Sequence, residues 1–237
     1  LDAGEFVLVV RNKQAFLSRY GADLSSRIAG QYEGKLANGG ETVTLEDFWN
    51  GTIAEFTYSD GSGWPVAADG AGHSLVPLAE AILDEPAGSL EYSGNWRASA
   101  YLGGRRGVKN TDLGATVVLN EFLAVGGDDW VELYNPTQAT VSLANFYLSD
   151  DAADLTKWPV AAPAIEPGAF LSFEESGDDF GFGLRRSGEE LFLSYLPGTG
   201  EDRVVDAVQF KAQEEDVSFG RYPDGSPWWL RLKPSPN

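Results

Sequence analysis

Short alternating segments separated by glycine-rich turns most constrain the fold of this chain. In "TVVLNEFLAVGGDDWVELYN" at 116–135, an apolar run leads into a Gly-Gly-Asp-Asp turn, and "WVELY" at 130–134 then places its side chains alternately on two faces. Alternation with a period of two residues is typical of a β-strand that covers a core with one face. We therefore predict a strand, a turn and a second strand, with either Val131 and Leu133 or their neighbours in the core.

The same kind of pattern occurs twice along the 237 residues. "NGGETVTLED" at 38–47 and "RSGEELFLSY" at 186–195 both place Gly-Glu before an alternating strand, and "GTIAEFTYSD" at 51–60 corresponds to "DRVVDAVQFK" at 202–211. A spacing of roughly 150–165 residues indicates tandem domains and not a solenoid. Because the first copy lacks the opening seen at 116–135, we expect its opening to lie upstream, and this chain to be a processed or excised piece.

Turn residues and one helical pattern complete the predicted elements. Gly4 and Gly168 each precede a strand, where glycine supplies the turn. Asn50-Gly51 predicts a two-residue hairpin turn. Apolar residues at helical spacing predict one short helix within 14–24, and a helical turn is predicted within 75–86.

Composition limits the classes of function. The hydrophobic content of 43% and the aromatic content of 12% predict packed cores, and the net charge of −19 disfavours a nucleic-acid partner. The chain has no cysteine, which excludes disulfides and thiolate zinc sites. We interpret its single histidine, His73, as a turn residue and not as part of a serine triad or a histidine-based zinc site. No apolar run of about 18 residues predicts a transmembrane segment, and no targeting signal is visible.

Acidic turns are the candidate metal ligands. Calcium prefers hard oxygen ligands on flexible loops, and two turns carry adjacent aspartates. The alternative is that these carboxylates cap turns in solvent, since no EF-hand spacing is present. The candidate calcium ligands are Asp128, Asp129, Asp150, Asp151 and Asp154.

Tryptophans are the candidate ligand-binding residues. Trp228 and Trp229 are adjacent, so on a strand their side chains face opposite ways and only one can enter the core. Exposed rings can stack on sugars or anchor a partner protein, and Trp158 also lies near a turn. The alternative is that these rings close the ends of the core.

Residues 117–237 resemble the lamin tail domain family in its bacterial form. The resemblance rests on motifs in the same order as in the family: "VVLNEFLAVGGDDWVELYNPT" (117–137), "VSLANFYLSDDAADLTKWPV" (141–160), "IEPGAFLSF" (165–173), "GEELFLS" (188–194), "VVDAVQF" (204–210) and "DVSFGRYPDGSPWW" (216–229). Residues 1–107 are similar to the later part of a second copy through "GEFVLVVRN", "NGGETVTLED" and "NWRAS".

The resemblance implies an all-β fold of tandem immunoglobulin-like antiparallel β-sandwiches, the first without its N-terminal strands. The expected domains are an incomplete copy at 1–107, a linker at 108–115 and a complete copy at 116–237. It also implies a non-catalytic interaction or spacer module of a larger secreted or cell-surface bacterial protein, with a protein or polysaccharide partner, no catalytic residues and no cofactor other than the calcium left open above. A carbohydrate-binding module and a hydrolase fragment are the alternatives, and the oligomeric state stays open.

Overall fold

The computed structural model describes residues 2, 4–61, 63–78, 89–114, 116–177 and 180–236. They form two compact units, the first made of Leu1–Pro65 and Ser74–Asp112 and the second of Val66–His73 and Leu113–Asn237. The unit boundary thus falls inside the predicted linker at 108–115. The segment Val66–His73, which the sequence places in the first domain, belongs to the second unit. Almost all strand pairs are antiparallel, which confirms the all-β class.

The first unit contains three two-stranded sheets and one α-helix among its described residues. Strand β1 pairs in parallel with β2, whereas β3 with β4 and β5 with β6 are antiparallel. The elements are β1 (Leu8–Val10), α1 (Lys13–Tyr20), β2 (Ile28–Gln31), β3 (Gly40–Glu46), β4 (Thr52–Ser59), β5 (Leu75–Pro77) and β6 (Trp96–Ala98), with 3₁₀ helices at Ala22–Arg27, Ser89–Glu91 and Ser93–Asn95.

Helix α1 confirms the helix predicted within 14–24. Asn12 caps its start, because the Asn12 Oδ1 accepts a hydrogen bond from the Ala15 N–H at 2.8 Å. The helix ends before Gly21, whose φ of 106° breaks the helical backbone. A helical turn is predicted within 75–86, but the structure forms strand β5 at the start of this segment, over Leu75–Pro77. Residues 79–86 lie outside the described ranges.

The hairpin of β3 and β4 is present, but its turn is longer than the predicted Asn50-Gly51 pair. The chain from Asp47 to Gly51 connects the strands. One carboxylate oxygen of Asp47 accepts from the backbone N–H groups of Trp49 and Gly51, both at 2.8 Å. The aspartate side chain therefore organises a five-residue connection in which Asn50 takes the positive φ of 61°.

The described residues of the second unit form eleven strands, arranged in two antiparallel sheets and one additional strand pair. The five-stranded sheet has the order β13-β8-β7-β16-β17, the four-stranded sheet has the order β11-β10-β14-β15, and β9 pairs with β12. The strands are β7 (Val118–Leu123), β8 (Trp130–Tyr134), β9 (Val141–Ser142), β10 (Phe146–Ser149), β11 (Trp158–Pro159), β12 (Ala164–Ile165), β13 (Phe170–Glu174), β14 (Glu190–Tyr195), β15 (Arg203–Gln209), β16 (Ser218–Arg221) and β17 (Trp229–Leu232), with 3₁₀ helices at Val66–Ala68 and Glu175–Gly177.

One hydrophobic cluster fills the space between these two sheets. Phe122 and Leu133 enter it from the five-stranded sheet, and Leu148 and Leu193 enter it from the four-stranded sheet. Antiparallel sheets that bury their inner faces in one cluster form a β-sandwich-like layer pair. Val131 and Leu133 are the alternating set that points into this cluster, so the prediction that one set of that strand is core is confirmed.

A matching turn opens the central hairpin of each unit. Gly40, the first residue of β3, and Gly188, two residues before β14, have φ values of 110° and 100°. A Cβ atom on Gly40 would lie 2.4 Å from the Tyr58 carbonyl oxygen, and one on Gly188 would lie 2.5 Å from the Phe210 carbonyl oxygen. Both positions therefore require glycine, which explains the Gly-Glu pair in both sequence copies.

Strand order gives a second correspondence between the units. The antiparallel pairs β3–β4 and β5–β6 follow each other in the first unit as β14–β15 and β16–β17 do in the second. The described strands of the first unit nevertheless form separate two-stranded sheets. The tandem immunoglobulin-like arrangement therefore stays a prediction.

Candidate functional site

The loop that joins β16 to β17 carries two exposed aromatic rings. In this aromatic loop, residues 222–228, the side chains of Tyr222 and Trp228 are 65% and 69% exposed. The Tyr222 N–H donates to the Trp228 carbonyl oxygen at 3.0 Å, which places the two residues opposite each other. Leu230, two residues further along the same face of β17, is also exposed.

Trp229 faces the other way. Its ring stacks on Phe219, with centroids 5.4 Å apart and an interplanar angle of 18°, and lies 5.9 Å from the ring of Phe122. One of the two adjacent tryptophans thus packs against the core and the other is exposed, as alternation along the strand predicts. Of the pair, Trp228 is the ring that a ligand can reach.

Arg221 anchors the first end of the aromatic loop. Its Nε donates to the Leu119 carbonyl oxygen at 2.7 Å, its Nη1 donates to the Ser226 carbonyl oxygen, and its Nη2 pairs with Asp206. The guanidinium carbon also lies 4.7 Å from the centroid of the Trp229 ring. A planar guanidinium with donors in a fixed fork can hold several acceptors at once, so it fixes the loop to both sheets.

Asp206 completes this anchor from the opposite sheet. Its carboxylate accepts from the backbone N–H groups of Leu119 at 2.9 Å and Ala207 at 3.0 Å in addition to Arg221. Burial raises the pKa of Asp206, although the Arg221 charge and the backbone donors oppose that rise. Leu119 therefore has its N–H bound by Asp206 and its carbonyl by Arg221, which locks β7 between them.

Asn120 anchors the middle of the loop. Its Oδ1 accepts from the Gly225 N–H at 3.1 Å, and its Nδ2 donates to Asp224 and to Glu132, each at 3.0 Å. Asn120 therefore binds the backbone of the turn at 222–225. Neighbouring Glu121 accepts from Ser218 and from the backbone N–H of Ser235, which ties the C-terminal residues to the same sheet.

Trp158 has a different position from the other candidate ligand-binding residues. Its side chain is 8% exposed and belongs to the hydrophobic cluster between the sheets. The ring lies 5.3 Å from that of Phe173 and 6.3 Å from that of Phe180. Its burial corresponds to the alternative in which a large ring fills the core, and Trp158 is not part of the exposed aromatic surface.

The first acidic turn, between β7 and β8, separates Asp128 from Asp129. Asp128 is exposed, whereas Asp129 turns inward and accepts from the Leu184 N–H. Burial raises the pKa of Asp129, and the nearby charges of Glu175 and Asp128 raise it further.

The aspartates of the second acidic turn bind neighbouring groups of the chain. Asp150 forms an ion pair with Lys157. Asp151 accepts from the Ala153 N–H at 2.8 Å, and Asp154 accepts from the Thr156 N–H at 3.2 Å. Within the described ranges, no three acidic, histidine or cysteine side chains converge as a metal site would require. Calcium binding at the two turns stays a prediction.

The β3–β4 hairpin of the first unit presents a second exposed aromatic pair. Phe48 and Trp49 are 91% and 83% exposed, and their rings meet edge to face at 5.6 Å. The candidate ligand-binding residues taken from the sequence include neither Phe48 nor Trp49. The signal was the "EDFWNG" turn, where two adjacent rings in a polar connection cannot both be buried.

His73 has a structural position within the second unit. It is buried, and its Nε2 accepts from the Val204 N–H of β15 at 2.9 Å. The imidazole therefore satisfies a backbone N–H group of that strand by accepting its hydrogen bond.

Comparisons of the chain with protein-family models, with curated proteins and with solved structures find no match. The resemblance to the lamin tail domain family rests on the sequence motifs alone and stays a prediction. Among the described residues, no helix has the length and apolar character needed to cross a membrane.

Proposed function

We propose that this chain is a non-catalytic interaction or spacer module of a larger secreted or cell-surface bacterial protein, and that the aromatic loop is its contact surface. The carrying observation is that Tyr222 and Trp228 are exposed on a loop whose backbone is fixed by Arg221 and Asn120. Aromatic rings on a fixed scaffold lose little conformational entropy on binding, and tryptophan and tyrosine are enriched among the residues that dominate interface energies.

The hydrogen-bond partners of the buried polar groups support an interaction module and not a hydrolase. Asp206 and Arg221 bind each other and the backbone of β7, and Glu121 binds two serines. A hydrolase would instead need carboxylates that converge on a substrate cleft. In this proposal these groups hold the loop, and no chemical step is assigned to them.

The repeated hairpin turn supports the proposal that the two units are copies of one lamin-tail-like module. Glu41 accepts from the Ala37 N–H and Glu189 accepts from the Arg185 N–H, in both cases four residues earlier in the chain. This bond accompanies the left-handed glycine at the same place in both units. Tandem modules of this kind are suited to spacing and contact within a larger protein.

Retention experiments test the proposed function. The whole chain and its Trp228→Ala variant would be compared for retention of secreted and cell-surface proteins of the producing bacterium, and for binding to a panel of insoluble polysaccharides. Tyr92→Ala is the matched control, because Tyr92 is 66% exposed in the first unit and lies outside the aromatic loop.

We expect saturable binding of a protein partner that Trp228→Ala weakens at least about tenfold, equivalent to about 1.4 kcal/mol, while Tyr92→Ala leaves it unchanged. Polysaccharide binding with the same dependence on Trp228 would favour the carbohydrate-binding alternative, since exposed rings also stack on sugars. Equal binding by the wild type and Trp228→Ala would contradict the role of the aromatic loop.

A further inference from the structure

A groove in the first unit combines positive charge with aromatic rings, although the chain has a net charge of −19. Its volume is about 640 Å³, and it is lined by the end of β1, by α1 and by residues after β2. The lining contains three arginines and three aromatic residues, namely Arg11, Arg19, Arg106, Phe16, Tyr20 and Tyr32. None of the described lining residues is acidic.

Two hydrogen bonds of backbone N–H groups hold the groove in shape. The Tyr32 N–H donates to the Val10 carbonyl oxygen at 3.1 Å, and the Lys13 N–H donates to the Gln31 Oε1 at 2.6 Å. The first bond joins the residue after β2 to the end of β1, and the second joins the start of α1 to the end of β2. On the helix, the rings of Phe16 and Tyr20 lie one turn apart with centroids at 4.8 Å, so they form a continuous aromatic wall.

Two guanidinium groups share one ring of that wall. The guanidinium carbon of Arg106 lies 3.8 Å from the centroid of Tyr20, and that of Arg19 lies 5.4 Å from the same centroid. One Nη of Arg106 donates to the Gly103 carbonyl oxygen at 2.8 Å. In the part of the chain that the structure describes, the ion pairs involve neither Arg11, Arg19 nor Arg106.

Close cationic groups with no acidic partner repel each other, and a bound anion converts that repulsion into attraction. We propose that this groove binds a small molecule that carries an oxyanion, a phosphate, sulfate or carboxylate group, with Arg19 and Arg106 as its principal donors. Guanidinium groups match oxyanions because their N–H groups form parallel hydrogen bonds. The organic part of the ligand stacks on the Phe16 and Tyr20 wall.

The size of the groove and the charge of the chain define the class of ligand. A volume of about 640 Å³ is within the range of about 300–1,000 Å³ typical of small-molecule sites. An extended polyanion such as nucleic acid is disfavoured, because the chain carries a net charge of −19 and repels phosphate backbones. The ligand is therefore a small anion on a compact organic group. This proposal does not depend on the aromatic loop of the second unit.

This site is tested by titration of the isotope-labelled whole chain. The probes are glucose 6-phosphate, glucuronate, inorganic phosphate and, as an uncharged control, glucose. Nuclear magnetic resonance would follow the backbone signals of residues 9–20 and 106, and calorimetry would give the dissociation constant. The variants are Arg19→Gln and Arg106→Gln. Arg105→Gln is the matched control, because it removes the same charge one residue away from Arg106 but Arg105 does not line the groove.

We expect saturable shifts at the groove with at least one oxyanion probe and none with glucose. Loss of a guanidinium that binds the anion should weaken binding about tenfold or more, whereas Arg105→Gln should change it less than about twofold. Arg19→Gln keeps the test decisive should Arg106→Gln disturb the packing on Tyr20, because the Arg19 side chain is exposed. Equal weakening by Arg105→Gln would overturn the proposal, and so would the absence of a saturable shift with every oxyanion probe up to about 10 mM.

Discussion

The Nη2 atom of Arg221 lies 2.9 Å from both carboxylate oxygens of Asp206. Arg221 belongs to β16 of the five-stranded sheet and Asp206 to β15 of the four-stranded sheet, so this pair joins the two layers of the second unit. Both side chains are mostly buried. The residue after Arg221 is Tyr222, and the ion pair therefore also fixes the position from which the aromatic loop starts.

Breaking this ion pair should strongly destabilise the second unit. Removing one partner of a buried pair leaves the other charge unpaired, at a cost of about 3–5 kcal/mol. We expect that loss in the free energy of unfolding for Asp206→Ala and for Arg221→Ala, measured by urea denaturation. The exposed pair of Arg231 with Glu214 provides the control, since Glu214→Ala should cost less than about 1 kcal/mol. Similar costs for the two pairs would contradict the anchoring role of Asp206.

Substitutions at the two adjacent tryptophans should separate effects on stability from effects on binding. Trp229 is half-buried and packs on Phe219 and Phe122, so Trp229→Ala should lower the free energy of unfolding by about 3 kcal/mol, the low end of the range for core tryptophans. Trp228 is exposed, so Trp228→Ala should change it by no more than about 0.5 kcal/mol. Chemical denaturation of both variants measures these values. A large loss of stability in Trp228→Ala would show that its ring serves packing.

Gly225 should tolerate no side chain. Its φ is 70°, and a Cβ atom there would lie 3.1 Å from the ring of Tyr134. We expect Gly225→Ala to lower the free energy of unfolding by more than about 1 kcal/mol, because both the backbone and the ring contact become strained. Gly127→Ala is the control, since no atom lies within 4 Å of its added Cβ. Thermal unfolding of both variants would test this, and equal melting temperatures would contradict it.

The stability of the chain should increase on mild acidification. Burial raises the pKa values of Asp129, Glu189 and Glu190 above their ordinary values, so at these three carboxyl groups the folded state binds more protons than the unfolded state. Stability from such groups is fully present below the unfolded pKa of about 4 and is lost as the pH rises through the higher folded values.

Protonation of carboxylates also reduces the repulsion within a chain of net charge −19, which increases the stability of the folded state on acidification. We therefore expect the free energy of unfolding to increase between about pH 7 and pH 5. Urea denaturation at several pH values in constant salt would measure it. A steady decrease over that interval would show that carboxylates with lowered pKa values dominate.

Local sequence patterns predict the paired strands well. The alternation at 116–135 corresponds to β7 and β8, and the two Gly-Glu segments correspond to the first strands of two hairpins. These features depend on neighbours in the chain, where a period of two or a left-handed glycine has a direct physical cause. The prediction of a two-residue turn at Asn50-Gly51 was wrong. The Asp47 side chain supplies an acceptor that organises a longer turn, and the Asn-Gly signal does not reveal it.

The anchors of the candidate site were not predictable in the same way. Asp206 binds Leu119 across 87 positions of the chain, and Asn120 binds Gly225 across 105. No period or turn motif encodes such partners, since they arise only when the two sheets pack. Trp228 could be proposed from alternation, whereas the burial of Trp158 depends on contacts with Phe173 and Phe180 from other elements.

The most direct test of the central claim is photo-crosslinking from the aromatic loop. Tyr222 and, in a separate control, Tyr92 would be replaced by a photoreactive phenylalanine, because the two tyrosines are 65% and 66% exposed. Each chain would be irradiated with the secreted and cell-surface fractions of the organism that produces it. Our account predicts a discrete protein adduct from position 222 that excess wild-type chain abolishes and position 92 does not give. Equal adducts from both positions, or none from position 222, would contradict it.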